Sequence, residues 1–406
     1  MTAPYQLGED EPASIRRLIP DPEPPLTLPV PLDGEAVPAE LLRVCETLLD
    51  GNERSYVEEC FDTNWISSAG PFVGRFEEAF AAAVGCRYGI ACSSGTAALH
   101  LALAAVGVGD GDEVLMPTFT MIATPNAAHY LGAESVLVDS EPETWNIDVE
   151  GVAAKLTPRT RAIVPVHVYG HPVDMDPLRR LAEGHGIALV EDAAEAHGAL
   201  YKGGPVGGLG DAAAFSFYGN KILTTGEGGM VTTNDPAIAE RASGLRNLGF
   251  SSDRHFWHRS VAFNYRMTNL QAAIGLAQTE RLEELVERRR ENRRRYAEAL
   301  AGVPGLKLPV ERPEVRNVFW MFGLTVGDEF GCSRDELRRR LAARGIETRS
   351  FFVPIHIQPA YHHRHRDERY PVAEELGRTG LYLPSGPSLS DADIAYVAGE
   401  ITQAGA

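Results

Sequence analysis

The chain has 406 residues, of which 44% are hydrophobic and 23% are charged, as is usual for a globular protein. Its 38 basic and 56 acidic residues give a formal charge of −18, which argues against nucleic acid or an anionic membrane as the main partner. Neither a secretory signal nor a membrane-spanning apolar run is visible. We therefore expect a cytoplasmic enzyme, and the five scattered cysteines predict neither a disulfide framework nor a metal site.

The N-terminal segment, residues 1–35, is rich in proline and acidic residues and is expected to form an extended arm. Apolar spacing then predicts a helix over residues 38–51 and a second helix that ends at Gly85. From residue 88 onward, short apolar runs such as EVLMP and IALVEDA alternate with amphipathic helical patterns. This alternation predicts an α/β fold with a mainly parallel sheet, whose ligand would lie beyond the carboxyl ends of the strands.

A long charged helix follows, with seven arginines between Arg281 and Arg295. We expect these arginines to form a solvated face with mixed-sign ion pairs. The helix would bridge to a second unit, because the patterns after residue 303 indicate a smaller α+β arrangement. We therefore place a large domain at residues 36–300 and a small domain at residues 301–406.

The most informative stretch is FSFYGNKILTTGEGG, which carries Lys221 just beyond an apolar strand. Burial disfavours the charged form of a lysine, so its amine can act as a nucleophile near neutral pH. Taken alone, Lys221 is weak evidence, because a single lysine beside a glycine is more often a solvated loop residue. The residues that precede it decide between these interpretations.

Three earlier features bear on Lys221, each with an ordinary alternative. Ser94, Gly95 and Thr96 begin an apolar helix, where free N–H groups suit a phosphate, although Ser94 could simply cap the helix. Asp192 follows an apolar strand and could pair with a protonated ring nitrogen, or serve its own loop. Ser216 lies five residues before the lysine and could bind a ligand or only local backbone.

In this order, a phosphate cradle, a strand-end acid and a lysine suit pyridoxal phosphate. That cofactor needs one partner each for its phosphate, its ring nitrogen and its aldehyde. The glycine-rich GGPVGGLG segment at residues 203–210 lacks the strand–turn–helix setting of a dinucleotide-binding fingerprint.

Several long motifs are characteristic of one family: NWISSAGPFV, ACSSGTAALHLAL, PVHVYGHPVDMDP, VEDAAEAHGA, FSFYGNKILTTGEGGM, FNYRMTNLQAAIGLAQ, GIETRSFFVPIHIQPAY and LPSGPSLSDADI. From about Thr63 to Ile394 the chain resembles the DegT/DnrJ/EryC1/StrS family of pyridoxal-phosphate sugar aminotransferases. The resemblance implies fold type I, with a large domain built on a mainly parallel sheet and a smaller α+β C-terminal domain.

The resemblance also implies roles for individual residues. Lys221 matches the lysine that binds the cofactor covalently, Asp192 the acid on the pyridine nitrogen, and Glu195 a residue near the ring hydroxyl. The matched phosphate contacts are Ser94, Gly95, Thr96 and Ser216.

Other matched positions concern the substrate and the partner subunit. Asn264 matches an asparagine that reaches the phosphate of the neighbouring subunit, which implies a homodimer with shared sites. Trp65, Ser67 and His356 lie in segments that line the sugar-nucleotide pocket. Met121 stands where relatives carry an aromatic residue stacked on the cofactor ring.

The expected activity is transfer of an amino group from L-glutamate to a keto sugar nucleotide, with a 4-keto-6-deoxyhexose as the favoured acceptor. Alternatives are a 3-keto sugar, a longer sugar or a cyclitol as the acceptor. A dehydratase of the same family is disfavoured, because those relatives carry histidine in place of Lys221. A cofactor-binding regulator would need a DNA-binding domain with a basic helix, which the acidic arm does not offer.

Overall fold

The computed structural model describes residues 16, 18–26, 40–251, 253–254 and 256–405. The helices in this part of the chain are α1 (Glu53–Asp62), α2 (Pro71–Ala83), α3 (Gly95–Ala105), α4 (Ala123–His129), α5 (Val149–Ala154), α6 (Met175–His185), α7 (Pro236–Arg246), α8 (Asn269–Thr279), α9 (Leu282–Ala299), α10 (Arg334–Ala343), α11 (Pro359–His365), α12 (Pro371–Thr379) and α13 (Asp391–Gly405). The strands are β1 (Tyr88–Cys92), β2 (Glu113–Pro117), β3 (Glu134–Val138), β4 (Thr160–Ile163), β5 (Ala188–Asp192), β6 (Leu200–Tyr201), β7 (Gly204–Pro205), β8 (Ala212–Ser216), β9 (Gly229–Thr233), β10 (Leu306–Lys307), β11 (Val315–Arg316), β12 (Phe322–Val326), β13 (Arg349–Ser350) and β14 (Gly380–Leu383).

The central sheet has seven strands in the order β1-β9-β8-β5-β4-β2-β3. Strand β9 pairs antiparallel with both of its neighbours, whereas the other neighbouring strands pair in parallel. Every residue of β2, β8 and β9 is buried, as expected for a sheet covered by helices on both faces. The prediction of an α/β fold with a mainly parallel sheet is confirmed.

A second, antiparallel sheet has the order β10-β12-β14-β13 and packs with α10 and α13 around its own apolar core. Helix α9 reaches this core through Tyr296, while Leu285 near its start belongs to the core of the central sheet. The long helix thus contacts both cores. The predicted division of the chain at residue 300 stays a prediction.

The prediction of a helix over residues 38–51 is wrong for the described part, since none of residues 40–51 is helical. Leu42 instead forms a parallel bridge with Ile346 and exchanges backbone hydrogen bonds with Gly345 and Glu347. Val44 accepts a backbone hydrogen bond from Ser385. These long-range partners satisfy the backbone in an extended conformation, and this outweighs the weak helical periodicity.

The arginine-rich helix is only partly a solvated face. Arg294 is half exposed and pairs with Glu291 and Glu298 on the same helix, as the sequence predicts. Arg289 is wrongly assigned to that face, since its side chain is only 1% exposed. The spacing of charges could not reveal this, because α9 lies between two cores.

Most of the predicted N-terminal arm lies outside the described residues. In the part that is described, Leu18 packs against Ile357 and Glu23 pairs with Arg338. No helix in the described ranges is long and apolar enough to cross a membrane.

Candidate active site

The side chains of interest meet where the parallel strands of the central sheet end. Strand β1 runs into the start of α3, β5 ends at Asp192, and β8 ends at Ser216. A cavity of about 360 Å³ opens at this edge, within the usual size range of small-molecule sites. Eight of the predicted site residues line it: Ser94, Gly95, Thr96, Met121, Asp192, Glu195, Ser216 and Lys221.

Lys221 points into this cavity from the loop between β8 and β9, and its side chain is only 12% exposed. The amine lies 3.8 Å from Oε1 of Glu195 and 3.9 Å from the centre of the Trp320 indole. Burial lowers the pKa of the Lys221 amine, while the nearby carboxylates of Glu195 and Asp192 oppose that change. The interpretation of Lys221 as a solvated loop residue is therefore excluded.

Asp192 is buried at the floor of the cavity, where it accepts two hydrogen bonds. The hydroxyl of Thr124 donates to Oδ2 at 2.8 Å, and the backbone N–H of Ala194 donates to Oδ1 at 3.3 Å. Burial raises the pKa of the Asp192 carboxyl, and both hydrogen bonds counteract the rise. A cationic N–H group in the cavity would stabilise the ionised form of Asp192 further.

Glu195 is held by an unusual backbone conformation nearby. Tyr169 adopts a left-handed φ of 50°, and its N–H donates to Oε2 of Glu195 at 2.7 Å. Burial raises the pKa of Glu195 to about 7, although Lys221 acts in the opposite direction. A left-handed non-glycine residue is strained, so Tyr169 is held in place by its surroundings, including a stacked contact with the Phe352 ring.

The start of α3 forms the third corner of the site. Ser94 caps the helix by accepting a hydrogen bond from the N–H of Ala97 at 3.2 Å, and its neighbours Gly95 and Thr96 line the cavity. A Cβ atom at Gly95 would lie 2.6 Å from the Cβ atom of Ser216, so only glycine lets the helix approach strand β8 this closely. Free N–H groups, small side chains and the positive end of the helix dipole meet here, as an anion requires.

An aromatic surface faces these polar groups. Trp320, Phe352 and Tyr382 line this side of the cavity, and all come from beyond helix α9. Met121 lies at the rim and is 53% exposed.

The remaining predicted residues lie away from this cavity in a single chain. Trp65 and Ser67 lie in a loop whose carbonyl groups accept hydrogen bonds from Asn269 at the start of α8. His356 is 2% exposed and lies with its ring against Thr118 and Glu374. Asn264 is exposed and accepts a hydrogen bond from Arg266. The substrate and cross-subunit roles of these residues stay predictions.

Sequence reasoning missed Thr124, Tyr169 and Trp320. Thr124 follows β2 in the chain, so its position after a parallel strand could have marked it as a neighbour of Asp192. Tyr169 acts through its backbone, and Trp320 lies 99 residues beyond Lys221 in the chain. No local pattern marks either one.

The donor set fits pyridoxal phosphate. Ser94, Gly95, Thr96 and Ser216 would hold the phosphate, Asp192 would face the ring nitrogen, and Lys221 would bind the aldehyde carbon. The close approach of Gly95 to Ser216 leaves a cradle that a larger side chain would fill. Together, the fold and the site define the class as a pyridoxal-phosphate-dependent aminotransferase of fold type I.

Comparison with known proteins assigns the family. Residues 48–402 match the DegT/DnrJ/EryC1/StrS aminotransferase family, and the chain belongs to that family. It is 48% identical over 366 residues to GDP-perosamine synthase of Caulobacter vibrioides, covering 89% of this chain and 98% of that protein. It is 43% identical over 323 residues to a dTDP-3-amino-3,4,6-trideoxy-alpha-D-glucose transaminase of Streptomyces venezuelae, covering 79% and 83%.

A solved structure agrees with both matches. The crystal structure of S. venezuelae DesV in complex with a ketimine intermediate superposes with a TM-score of 0.82 at 39% identity. That alignment covers 87% of this chain and 94% of DesV. The family and the fold implied by the sequence motifs are thus confirmed.

Proposed function

We propose that this enzyme transfers the amino group of L-glutamate to the keto group of a GDP-linked 4-keto-6-deoxyhexose, with pyridoxal phosphate as its cofactor. The observation that carries the transamination is the buried Lys221 amine, which faces Glu195 and Asp192 in one cavity. The 48% identity to a GDP-perosamine synthase supports the choice of sugar nucleotide.

When bound, pyridoxal phosphate would supply an electrophilic carbon and a ring that accepts electrons. The Lys221 Nζ atom would take the proton from the α-carbon of glutamate and later return a proton to the carbon that is aminated. Burial lowers the pKa of this amine from its usual value, which favours its neutral form as the base in the first proton transfer. Asp192 would keep a ring nitrogen protonated, and the α3 N-terminus would anchor the phosphate.

A second acceptor class has its own support. The 43% identity to a transaminase named for a dTDP-linked 3-amino sugar keeps a 3-keto, dTDP-linked acceptor open. Met121 is exposed at the rim of the cavity, and the space beside it would admit either sugar. The dehydratase alternative is disfavoured by Lys221.

The test has two stages. Purified protein with pyridoxal phosphate is first mixed with L-glutamate, and we expect the visible absorbance of the lysine-bound cofactor to be replaced by that of pyridoxamine phosphate. The enzyme carrying pyridoxamine phosphate is then mixed with a GDP-linked 4-keto sugar or with a dTDP-linked 3-keto sugar. The products are identified by mass and NMR. No absorbance change with any amino donor would refute the transamination, and amination of only the dTDP sugar would refute the acceptor.

The site would be completed by a second copy of the chain. Asn264 is exposed and lies outside its own cavity, which supports a role in the partner's site. We expect Lys221→Ala and Asn264→Ala, each inactive, to regain partial activity when refolded together, because one site of the mixed dimer has an intact lysine and an intact partner loop. Mixed dimers that form without regaining turnover would exclude the shared site.

A further inference from the structure

Arg289 is a buried cation whose hydrogen-bond partners are mostly backbone carbonyls. It lies on α9, its side chain is 1% exposed, and among the described residues its guanidinium has no carboxylate within ion-pair distance. Its Nε atom is buried without a hydrogen-bond partner. An arginine stays charged even when buried, and burying a charge without an ion pair is costly.

Two of the three carbonyls that Arg289 binds belong to residues that line the catalytic cavity, Trp320 and Lys221. One terminal nitrogen donates to the carbonyl of Trp320 at 3.0 Å and to that of Ser385 at 3.2 Å. The other lies 3.4 Å from the carbonyl of Lys221 and 3.5 Å from the sulfur of Cys45. A single planar fork therefore holds the backbone of both Lys221 and Trp320, and a fork of fixed geometry is what distinguishes arginine from lysine.

These two residues also contact each other directly. The amine of Lys221 lies over the indole of Trp320 at 3.9 Å from the ring centre. The indole N–H donates to the carbonyl of Asn220, the residue before the lysine, at 2.8 Å. Arg289, Trp320 and the loop that carries Lys221 thus all contact one another around the Lys221 side chain.

We propose that Arg289 is a positioning residue that fixes the direction of the Lys221 amine by holding the backbone of Lys221 and Trp320 together. It lies behind the catalytic lysine and is outside the residues that line the cavity. The protein would keep this costly buried charge because it orients the reacting amine, in line with the tendency of functional sites to break local rules of stability.

The test uses matched variants loaded with pyridoxal phosphate. Arg289→Met removes the fork, and Arg289→Lys keeps the charge but offers one donor centre in place of the fork. The control is Asn292→Leu, because Asn292 is buried one turn further along α9 and donates to the carbonyl of Gly386, next to Ser385. The control loosens the same helix against the same loop without touching Lys221.

The first readout is the circular dichroism of the bound chromophore, measured per bound cofactor and without any amino donor. A loosely held lysine should lower this ellipticity by roughly half or more in Arg289→Met, and less in Arg289→Lys. The second readout is the reaction with glutamate, whose rate constant should fall about 10- to 100-fold while glutamate affinity changes little. Asn292→Leu should match the wild type in both.

Wild-type ellipticity in both Arg289 variants, or an equal loss in Asn292→Leu, would overturn the proposal. If Arg289→Met does not fold, Arg289→Lys and Trp320→Phe decide, the latter because it removes the N–H that binds Asn220. Only the second readout, the reaction with glutamate, rests on the proposed function. A wild type that binds the cofactor but ignores glutamate would refute the function, and the ellipticities would still decide the role of Arg289.

Discussion

The two walls of the catalytic cavity differ in chemistry and in origin. The wall at the sheet edge carries the charged and hydrogen-bonding groups, including Asp192, Glu195 and Lys221. A second wall is aromatic and is built from Trp320, Phe352 and Tyr382. The sheet-edge wall can act on protons and charges, whereas the aromatic wall offers surface area and shape. Changes in the sheet-edge wall should therefore affect the chemical step, and changes at Phe352 or Tyr382 should affect substrate binding. Trp320 also contacts Lys221, so its changes should affect the chemical step as well.

The largest effect is expected from Lys221→Ala. Loss of the nucleophile and of the proton-transfer group should lower turnover by more than about 10³-fold. It should also abolish the absorbance of covalently bound cofactor. Lys202→Ala is the matched control, because Lys202 is half exposed and pairs with Asp176 away from the cavity. Normal turnover in Lys221→Ala would show that the sheet-edge wall does not carry the chemical step.

Asp192→Asn should have the next largest effect. It keeps the volume but removes the charge that would hold a ring nitrogen protonated, so the rate constant should fall roughly 10²- to 10³-fold. Thr124→Val removes only the hydroxyl that donates to Asp192, and about a 3- to 10-fold loss is expected. Single-turnover kinetics with glutamate measure both variants. A larger loss in Thr124→Val than in Asp192→Asn would contradict this order.

Glu195, on the same wall, should make the free energy of unfolding depend on pH. Burial raises its pKa from 4.5 to about 7 in the folded protein, so the folded state binds the proton more tightly than the unfolded state. The associated stability is complete below pH 4.5 and is lost as the pH rises toward 7. Relative to Glu195→Gln, the cofactor-free wild type should lose about 1–3 kcal/mol over this interval.

Urea unfolding of both proteins at pH 4.5 and pH 8 measures this difference. The variant controls for all other titrating groups, because the amide keeps the shape of the side chain but does not ionise. A constant difference between the two proteins across the interval would show that Glu195 titrates near its ordinary value.

The smallest effect is expected on the aromatic wall. Tyr382→Leu removes a ring from the cavity, so KM for the sugar nucleotide should rise about 3- to 10-fold with kcat little changed. Tyr382→Phe keeps the ring and should stay close to the wild type. Steady-state kinetics on the accepted sugar nucleotide check both variants. A fall in kcat without a change in KM would show that Tyr382 takes part in the chemical step.

The sequence by itself determined the class of fold and most of the sheet-edge wall. Asp192 and Ser216 end strands, and Ser94 begins a helix directly after one, so strand periodicity and strand polarity already bring them to one edge. Lys221 could be assigned because its partners precede it in the order that the cofactor requires, and because the family motifs surround it.

Tertiary structure decided the rest, for a common physical reason. Trp320 and Tyr382 reach the cavity only through the packing of the C-terminal sheet. Residues 40–51 are not helical, because Leu42 and Val44 bond to the backbone near residues 345 and 385. Arg289 looks like any other arginine of a charged helix until both cores close around it. Burial and long-range hydrogen bonds depend on the whole fold, and a local pattern of residue types does not encode them.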